Sequence, residues 1–274
     1  MRGAFLGVLI LSSWLLGAGR VYGQPGATIA LQLQEGRPFV RAEINQVPLS
    51  LLVDLGGYDT VALNQADAGK AGAQPQLSPN ETLGGFSTFD GKRQQSSVSR
   101  FREVLVGGVP FGEVRGSIFG GEGTSYVGAG LLGKSLLVFD YAKQQLRLYQ
   151  SGDAQALRRE CGANTFPVDV RRGVFLTYLR VEGKTLVAAF DTGASFTVMR
   201  PSVWQLDPVD YVPGTTPQIR RLHGLRINDA EIKELNAALI EFKGPPVDIV
   251  LGTNFFTNRR VCLDSGAHVG AISR

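Results

Sequence analysis

An internal repeat is the feature that most limits what this 274-residue chain can fold into. Residues 28–63 align with residues 165–200 at a constant offset and without a gap. Both copies show the alternating apolar residues of half-buried strands, and a glycine follows the first strand pattern in each, Gly36 or Gly173. Further strand patterns then lead to an aspartate that is followed two residues later by glycine. Such self-similarity indicates one structural unit used twice, so the sequence predicts two homologous lobes in tandem.

Composition favours β-structure for these lobes. The chain contains 35 glycines, and the access of glycine to positive φ suits the turns between many short strands. Its 43% hydrophobic and 19% charged residues are sufficient for a substantial core. We predict an all-β, bilobed fold, with residues 24–150 as the N-terminal lobe, 151–164 as a polar linker and 165–274 as the C-terminal lobe.

The first 23 residues have the pattern of an export signal. Arg2 precedes an apolar run from Ala4 to Leu16, and small residues then lead to a cleavage pattern that ends at Gly23. A membrane span needs about 20 apolar residues, which is more than this run provides. We therefore expect the segment 1–23 to be removed, with an uncleaved anchor as the alternative. The mature chain is expected to be periplasmic or secreted, with no stable membrane span.

Charge gives no reason to expect a nucleic-acid partner. Of the 28 basic residues, Arg2 and Arg20 lie in the export segment, so the remainder nearly balances the 24 acidic residues. The chain also lacks a stripe of Lys and Arg with interleaved aromatic residues.

The two cysteines, Cys161 and Cys262, both lie in the second half of the chain. In an oxidising compartment they can form one disulfide, and two unpaired thiols are the alternative because sequence does not give their separation. Two cysteines and the distant His223 and His268 do not have the spacing of metal ligands. We expect neither a metal site nor a cofactor.

Short motifs in the second lobe resemble those of a known family. The segment 190–195 reads Phe-Asp-Thr-Gly-Ala-Ser, which resembles the hydrophobic-Asp-Thr-Gly-Ala signature of retropepsin-like aspartic proteases. The segments Leu131–Gly133 and Val250–Gly252 resemble the apolar-apolar-Gly element found downstream in that family. The likeness extends over the mature chain as two tandem lobes, in the manner of a duplicated, single-chain bacterial member. It implies the bilobed aspartic-protease fold.

The resemblance also implies that Asp54 and Asp191 are the catalytic pair of an endopeptidase. Two carboxyl groups a few ångströms apart cannot both ionise, so they share a proton and titrate together. One can then take a proton from a water while the other polarises the scissile carbonyl. The implied active-site loops contain Leu55 and Gly56 in the first lobe. Their counterparts in the second lobe are Thr192, Gly193 and Ala194.

Leu55 is the main departure from the family pattern. The family has Thr or Ser at this position, and its hydroxyl bonds across to the loop of the other lobe. Leu55 cannot form that bond, whereas Thr192 can bond in one direction, and a misplacement of about 1 Å can cost ~100-fold in rate. A peptide-binding module without turnover is therefore the alternative function. We expect a monomer, and a homodimer that pairs the second lobes of two chains is the alternative.

A hairpin flap is predicted over the cleft. Residues 83–91 begin with glycines that include Gly85, contain Phe86 and Phe89, and end in an Asp-Gly turn. The two aromatic side chains are expected to contact substrate, or else to pack within an ordinary hairpin. The substrate would be a protein or peptide that lies extended across the cleft and bonds through its backbone. The segment of the second lobe that corresponds to this flap is expected around residues 222–225.

One further motif is interpreted as accidental. Residues 128–135 match the phosphate-loop pattern G-x-x-x-x-G-K-[ST]. That motif requires a buried strand before it and a helix after it. The preceding residues 120–125 do not form an apolar strand pattern, and the second lobe lacks the lysine. We expect no nucleotide partner.

Overall fold

The computed structural model describes residues 26–75, 84–87, 93–171, 173–203, 211–212, 217–242 and 246–273. The expected export segment 1–23 and Phe89 of the predicted flap lie outside these residues. The described chain is built mainly from strands in two lobes, so the predicted all-β, bilobed architecture is confirmed. Among the described residues, no helix has the length and apolar character that crossing a bilayer requires.

The first lobe consists of strands and two short helices. In chain order these are β1 (Ala27–Ala30), β2 (Gln32–Gln34), β3 (Arg37–Ile44), β4 (Val47–Asp54), β5 (Val61–Asn64), α1 (Gln65–Lys70), β6 (Gly84–Ser87), β7 (Arg93–Val106), β8 (Val109–Phe119), β9 (Tyr126–Gly128), α2 (Ala129–Leu132), β10 (Ser135–Asp140) and β11 (Gln145–Gln150).

A helix, α3 (Ala154–Cys161), precedes the second lobe. That lobe contains β12 (Thr165–Pro167), β13 (Asp169–Arg171), β14 (Val174–Val181), β15 (Lys184–Phe190), β16 (Thr197–Met199), a 3-10 turn (Pro201–Val203), β17 (Tyr211–Val212), β18 (Ile219–Ile227), β19 (Ala230–Leu239), β20 (Ile249–Leu251), α4 (Thr253–Phe256), β21 (Arg260–Asp264) and β22 (Val269–Ser273).

The strand orders show that the lobes are copies of one another. The first lobe has an eight-stranded sheet of order β2-β3-β4-β9-β5-β8-β7-β6, and the second has the corresponding order β13-β14-β15-β20-β16-β19-β18-β17. A third, six-stranded sheet joins the lobes in the order β1-β11-β10-β21-β22-β12. This sheet is symmetric about the β10–β21 pair, so each lobe contributes the same three strands.

The sheet register corrects one part of the internal alignment. Asp54 at the end of β4 lies opposite Gly128 of β9. In the second lobe Phe190 lies opposite Leu251, which places Asp191 level with Gly252. The counterpart of Val250–Gly252 is therefore the segment 126–128, and the equivalence with Leu131–Gly133 was wrong because those residues belong to α2 and its C-cap. The aromatic Tyr126 at the strand start concealed the true match.

The gapless repeat is also wrong by one residue after the aspartates. Ala62 pairs with Tyr126 in the first lobe, and Val198 pairs with Val250 in the second. Because β9 and β20 are equivalent, Ala62 corresponds to Val198, whereas the gapless alignment matched it with Met199. The loop that follows Asp54 is therefore one residue longer than the loop that follows Asp191.

The polar segment 151–164 contains structure of its own. Helix α3 packs Ala156 and Leu157 against a face of the six-stranded sheet that includes Leu136 and Val138. Cys161, at the last turn of α3, forms a disulfide with Cys262 of β21. The cross-link fastens this segment to the sheet that both lobes share.

Candidate active site

Central strands of the two large sheets deliver the two repeated aspartates to one place. Strand β4 ends at Asp54, and β15 ends at Phe190, immediately before Asp191. The ring of Phe190 is fully buried and contacts the rings of Phe255 and Phe256, at centroid distances of 5.9 and 6.3 Å. This aromatic packing behind Asp191 gives the loop a rigid base.

The carboxyl groups of Asp54 and Asp191 lie within hydrogen-bonding reach of each other. Each also packs against the glycine of the opposite loop. A Cβ atom added to Gly56 would lie 2.5 Å from Cγ of Asp191, and one added to Gly193 would lie 2.6 Å from Cγ of Asp54. Only glycine permits this approach at either position, which explains the Asp-x-Gly spacing of both copies.

Backbone N–H groups hold each carboxyl in the same way. Oδ1 of Asp54 accepts hydrogen bonds from the N–H groups of Gly56 and Gly57, at 2.8 and 3.0 Å. In the second lobe, Oδ1 of Asp191 accepts from Gly193 and Ala194 at the same two distances, 2.8 and 3.0 Å. The two carboxyl groups are thus held by equivalent bonds in the two lobes.

Thr192 makes the hydrogen bonds that cross between the lobes at this level. Its hydroxyl accepts from the N–H of Leu55 at 3.1 Å and donates to the carbonyl oxygen of Val53 at 2.6 Å. The reciprocal bonds are missing because Leu55 has no hydroxyl, and its side chain is fully buried in the core. Within the described part of the chain, the N–H of Thr192 has no hydrogen-bond partner. The loops are thus linked in one direction, as the sequence predicted.

The helices that follow β9 and β20 support the loops from beneath. The N–H of Ala129 at the start of α2 donates to the carbonyl oxygen of Gly57 at 2.8 Å. The N–H of Thr253 at the start of α4 donates to Ala194 in the same manner, at 2.9 Å. Since each helix start bonds to the aspartate loop of its own lobe, the duplication extends to the support of the site.

The same contacts bear on the phosphate-loop pattern of residues 128–135. Residues 120–125 form no strand, as expected, but the short buried strand β9 ends at Gly128, the first residue of the pattern. No loop follows, however, since α2 begins at Ala129. The N–H groups of residues 128–130 all donate to carbonyl oxygens of the loop 57–60. The groups that would cradle a phosphate are therefore engaged in holding the aspartate loop.

The environment raises the pKa of both carboxyl groups. Burial is the main cause for Asp191, and the neighbouring charge of Asp54 raises the pKa further, well above its usual value. Burial also raises the pKa of Asp54, but the hydrogen bond with Asp191, the loop N–H groups and the positive charge of Arg37 oppose that rise. The pair therefore retains one proton above the pH at which an ordinary aspartate is ionised, and the positive charge of Arg37 favours Asp54 as the ionised partner.

This shift predicts how stability depends on pH. Because the pKa of Asp191 is raised on folding, the folded chain binds more protons than the unfolded chain above the ordinary value of 3.8. Wild-type stability should therefore fall as pH rises above about 4, and Asp191→Asn should remove the part of that loss that comes from Asp191. We expect the variant to exceed wild type by on the order of 1 kcal/mol or more at pH 7, with the difference shrinking towards pH 4. Thermal unfolding across this range measures it, and parallel curves would contradict the assignment.

A third carboxyl group, which sequence analysis missed, lies in the first-lobe loop. Oδ2 of Asp59 accepts hydrogen bonds from Oγ of Ser117 at 2.7 Å and from the hydroxyl of Tyr126 at 3.3 Å. Burial raises the pKa of Asp59. The repeat gave no signal for it, because the second-lobe loop is one residue shorter and lacks an acidic residue at that point. The bonds fix the loop onto strands of its own lobe.

The predicted flap begins where expected. Strand β6 pairs with β7, with Gly85 opposite Gln95 and Phe86 opposite Gln94. The contact of Phe86 and Phe89 with substrate remains a prediction. In the second lobe, β17 and the start of β18 form the equivalent pair. The placement of that counterpart at residues 222–225 was wrong, because these residues lie within β18.

Comparisons with known proteins establish the fold. No protein-family model and no curated protein matches the sequence. Among solved structures, the chain is similar to conglutin gamma from lupine seeds (11% identity, TM-score 0.54) and to the Basic 7S globulin from soybean (11% identity, TM-score 0.53). Each match covers 91% of this chain and 95% of the other. A retropepsin-like aspartic protease from Rickettsia conorii matches 46% of this chain and 99% of its own, at 24% identity and a TM-score of 0.36. The chain has the bilobed, all-β fold of aspartic-protease-like proteins.

Proposed function

We propose that this protein is an aspartic endopeptidase that hydrolyses peptide bonds with a water held between Asp54 and Asp191. The observation that carries the proposal is the meeting of the two carboxyl groups within one chain, each fixed by two N–H groups of its own loop. A pair of titratable groups driven to different protonation states is the arrangement that general acid–base hydrolysis requires.

The mechanism follows from the protonation of the pair. The ionised carboxylate, Asp54, takes a proton from the water as the water oxygen attacks the carbonyl carbon of the peptide. The protonated carboxyl, Asp191, donates its proton to the carbonyl oxygen. Asp54 then returns its proton to the amide nitrogen, the carbon–nitrogen bond breaks, and the proton on the oxygen goes back to Asp191. Both residues are restored, with no covalent intermediate and no cofactor.

The one-sided link at Thr192 favours turnover over a binding module. The Thr192 hydroxyl donates one hydrogen bond and accepts another across the lobes. This one hydroxyl therefore holds the two aspartate loops in register, which would otherwise be done by two hydroxyls, one from each lobe. The fully buried Leu55 replaces the second hydroxyl with apolar packing. The unpaired N–H of Thr192 is the observation that favours the alternative, a peptide-binding protein without turnover.

A cleavage assay separates these functions. The chain without residues 1–23 should cleave casein or a peptide library between pH 4 and 7, and both Asp54→Asn and Asp191→Asn should abolish cleavage. Peptide binding without cleavage would instead support the binding module. If Asp54→Asn retains activity while Asp191→Asn does not, the homodimer of second lobes gains support.

We further propose that the mature chain acts as a monomer in the periplasm or outside the cell. The chain supplies both carboxyl groups itself, so a second copy is not needed to complete the pair. Light scattering measures the mass of the active species. An active species of twice the chain mass, with activity lost on dilution to monomer, would contradict the proposal.

Restoring the missing hydroxyl should improve catalysis. Leu55→Thr places a hydroxyl opposite the unpaired N–H of Thr192, and one added hydrogen bond corresponds to about tenfold in rate if it acts at the transition state. Leu55→Val is the matched control, because Val and Thr have the same shape and differ in the hydroxyl. We expect kcat of Leu55→Thr to exceed that of Leu55→Val by about tenfold. Equal rates would show that the absent bond does not limit catalysis.

A further inference from the structure

Arg37 lies beside the aspartate pair on the first-lobe side. The antiparallel ladder of β3 and β4 ends at Phe39 opposite Leu52, and the same register continued by two residues places Arg37 level with Asp54. Residues opposite one another in such a pair project from the same face of the sheet. A Cβ atom added to the preceding Gly36 would lie 3.1 Å from Oγ1 of Thr253, a residue of the second lobe. Arg37 is therefore placed at the seam between the lobes.

The guanidinium group of Arg37 has little to bind within the protein. Among the described residues its one ion pair joins Nη2 to Oε2 of Glu35 at 3.6 Å, and the Glu35 side chain is 84% exposed. Ion pairs with a partner this exposed contribute little. Nε is buried and has no hydrogen-bond partner among the described residues, and the group lies 5.9 Å from the ring centre of Phe39. Most of the five N–H donors of this arginine therefore have no partner in the described part of the chain.

The second lobe does not repeat this arrangement. Leu176 pairs with Ala189, so the same register places Val174 opposite Asp191. Val174 is apolar and packs against the cluster of Leu176, Ala189 and Val250. The positive charge of Arg37 also lowers the pKa of Asp54, so it acts within electrostatic reach of the pair. The cleft thus has a cation on the Asp54 side and an apolar residue in the equivalent position on the Asp191 side.

We propose that Arg37 is a specificity-determining residue that binds a carboxylate of the substrate next to the scissile bond. The inference rests on the proposed function, because it assumes that a peptide lies in the cleft between the lobes. A planar guanidinium with unused parallel donors matches a carboxylate in two-bond geometry, which an amide cannot equal. The carboxylate belongs either to an Asp or Glu side chain or to the free C-terminus of a peptide.

A structural role for Arg37 makes a different prediction. If Arg37 only supports the loop or adjusts Asp54, its loss should change the turnover of every peptide alike. If it binds substrate, its loss should also raise KM selectively for peptides that carry the carboxylate, beyond any change that all peptides share through the pKa of Asp54.

The experiment uses paired peptides that differ by Glu or Gln at each position around the cleaved bond, each with a free or an amidated C-terminus. Hydrolysis is measured for wild type, Arg37→Gln and Arg37→Lys. Arg100→Gln is the matched control, since Arg100 is a half-exposed arginine that pairs with Glu113 at 3.2 Å. At one position we expect wild type to have a KM about tenfold lower for Glu than for Gln. Arg37→Gln should abolish that preference, Arg37→Lys should keep part of it, and Arg100→Gln should keep it all.

A binding measurement separates this inference from the proposed function. It uses the same peptides with the scissile peptide bond reduced, so that they cannot be cleaved. If no peptide is hydrolysed but the Glu preference in Kd disappears in Arg37→Gln, Arg37 binds a carboxylate in a cleft without turnover. A preference that follows the free C-terminus instead of the side chain identifies the source of the carboxylate. Wild type without any preference for a carboxylate, or equal losses for Glu and Gln peptides in Arg37→Gln, would overturn the inference.

Discussion

Replacing either Asp54 or Asp191 with asparagine should lower kcat for peptide hydrolysis by at least about 1,000-fold. An asparagine keeps the shape of the side chain and its Oδ1 can still accept the loop N–H bonds, but it can neither take a proton from water nor donate one to the carbonyl oxygen. Because the two carboxyl groups act as one unit, the double variant should be hardly slower than either single variant. Single-turnover kinetics on a cleaved library peptide measure all three.

Asp59→Asn is the internal control for this experiment. Asp59 is half-buried and also lies in the first-lobe loop, but its hydrogen bonds run to Ser117 and Tyr126 and not to the pair. We expect its kcat to stay within about tenfold of wild type, since it positions the loop without transferring protons. Equal losses in Asp54→Asn and Asp59→Asn, or additive losses in the double variant, would contradict the paired mechanism.

Thr192→Val should give the second large effect. The hydroxyl of Thr192 satisfies the N–H of Leu55 and the carbonyl of Val53, and valine would leave both buried groups unpaired. Each unpaired buried group costs about 1–3 kcal/mol, so we expect the free energy of unfolding to fall by roughly 3 kcal/mol. Since no reciprocal hydroxyl remains to hold the loops in register, kcat should fall by about 100-fold.

Thr192→Ser separates the hydroxyl from the methyl group. Serine keeps both cross-lobe bonds, so its kcat should return to within about tenfold of wild type even though a buried methyl group is lost. Thermal unfolding and kcat are measured for both variants under the same conditions. A valine variant as active as the serine variant would show that the cross-lobe bonds do not align the carboxyl groups.

The repeat allowed much of this architecture to be predicted. The strand patterns before each aspartate and the meeting of Asp54 with Asp191 follow from an alignment that requires only strand periodicity and an Asp-x-Gly turn. The one-way link from Thr192 also followed, because a leucine in the partner loop cannot form the reciprocal bond. These features are local or strictly duplicated, which is why sequence reveals them.

Features that depend on tertiary register were not accessible. The first-lobe counterpart of Val250–Gly252 was assigned to Leu131–Gly133 because the amino-acid types match. The strand pairing shows that the counterpart is the segment 126–128. The one-residue difference between the loops appears only in the ladders of β5 and β16. Arg37 could not be connected with Asp54 from sequence either, because the two residues are 17 positions apart and come close only through the pairing of β3 with β4.

An NMR titration of the two carboxyl carbons tests the central claim most directly. The protein is labelled with 13C at aspartate, and the signals are assigned with the asparagine variants. The account predicts that the pair titrates in two separated steps, the later one well above the ordinary value of 3.8, and that both carboxyl carbons report both steps. It also predicts that the pKa of Asp191 falls in Asp54→Asn, because a neighbouring negative charge is removed. Two independent titrations near the ordinary value, unaffected by replacement of the partner, would contradict it.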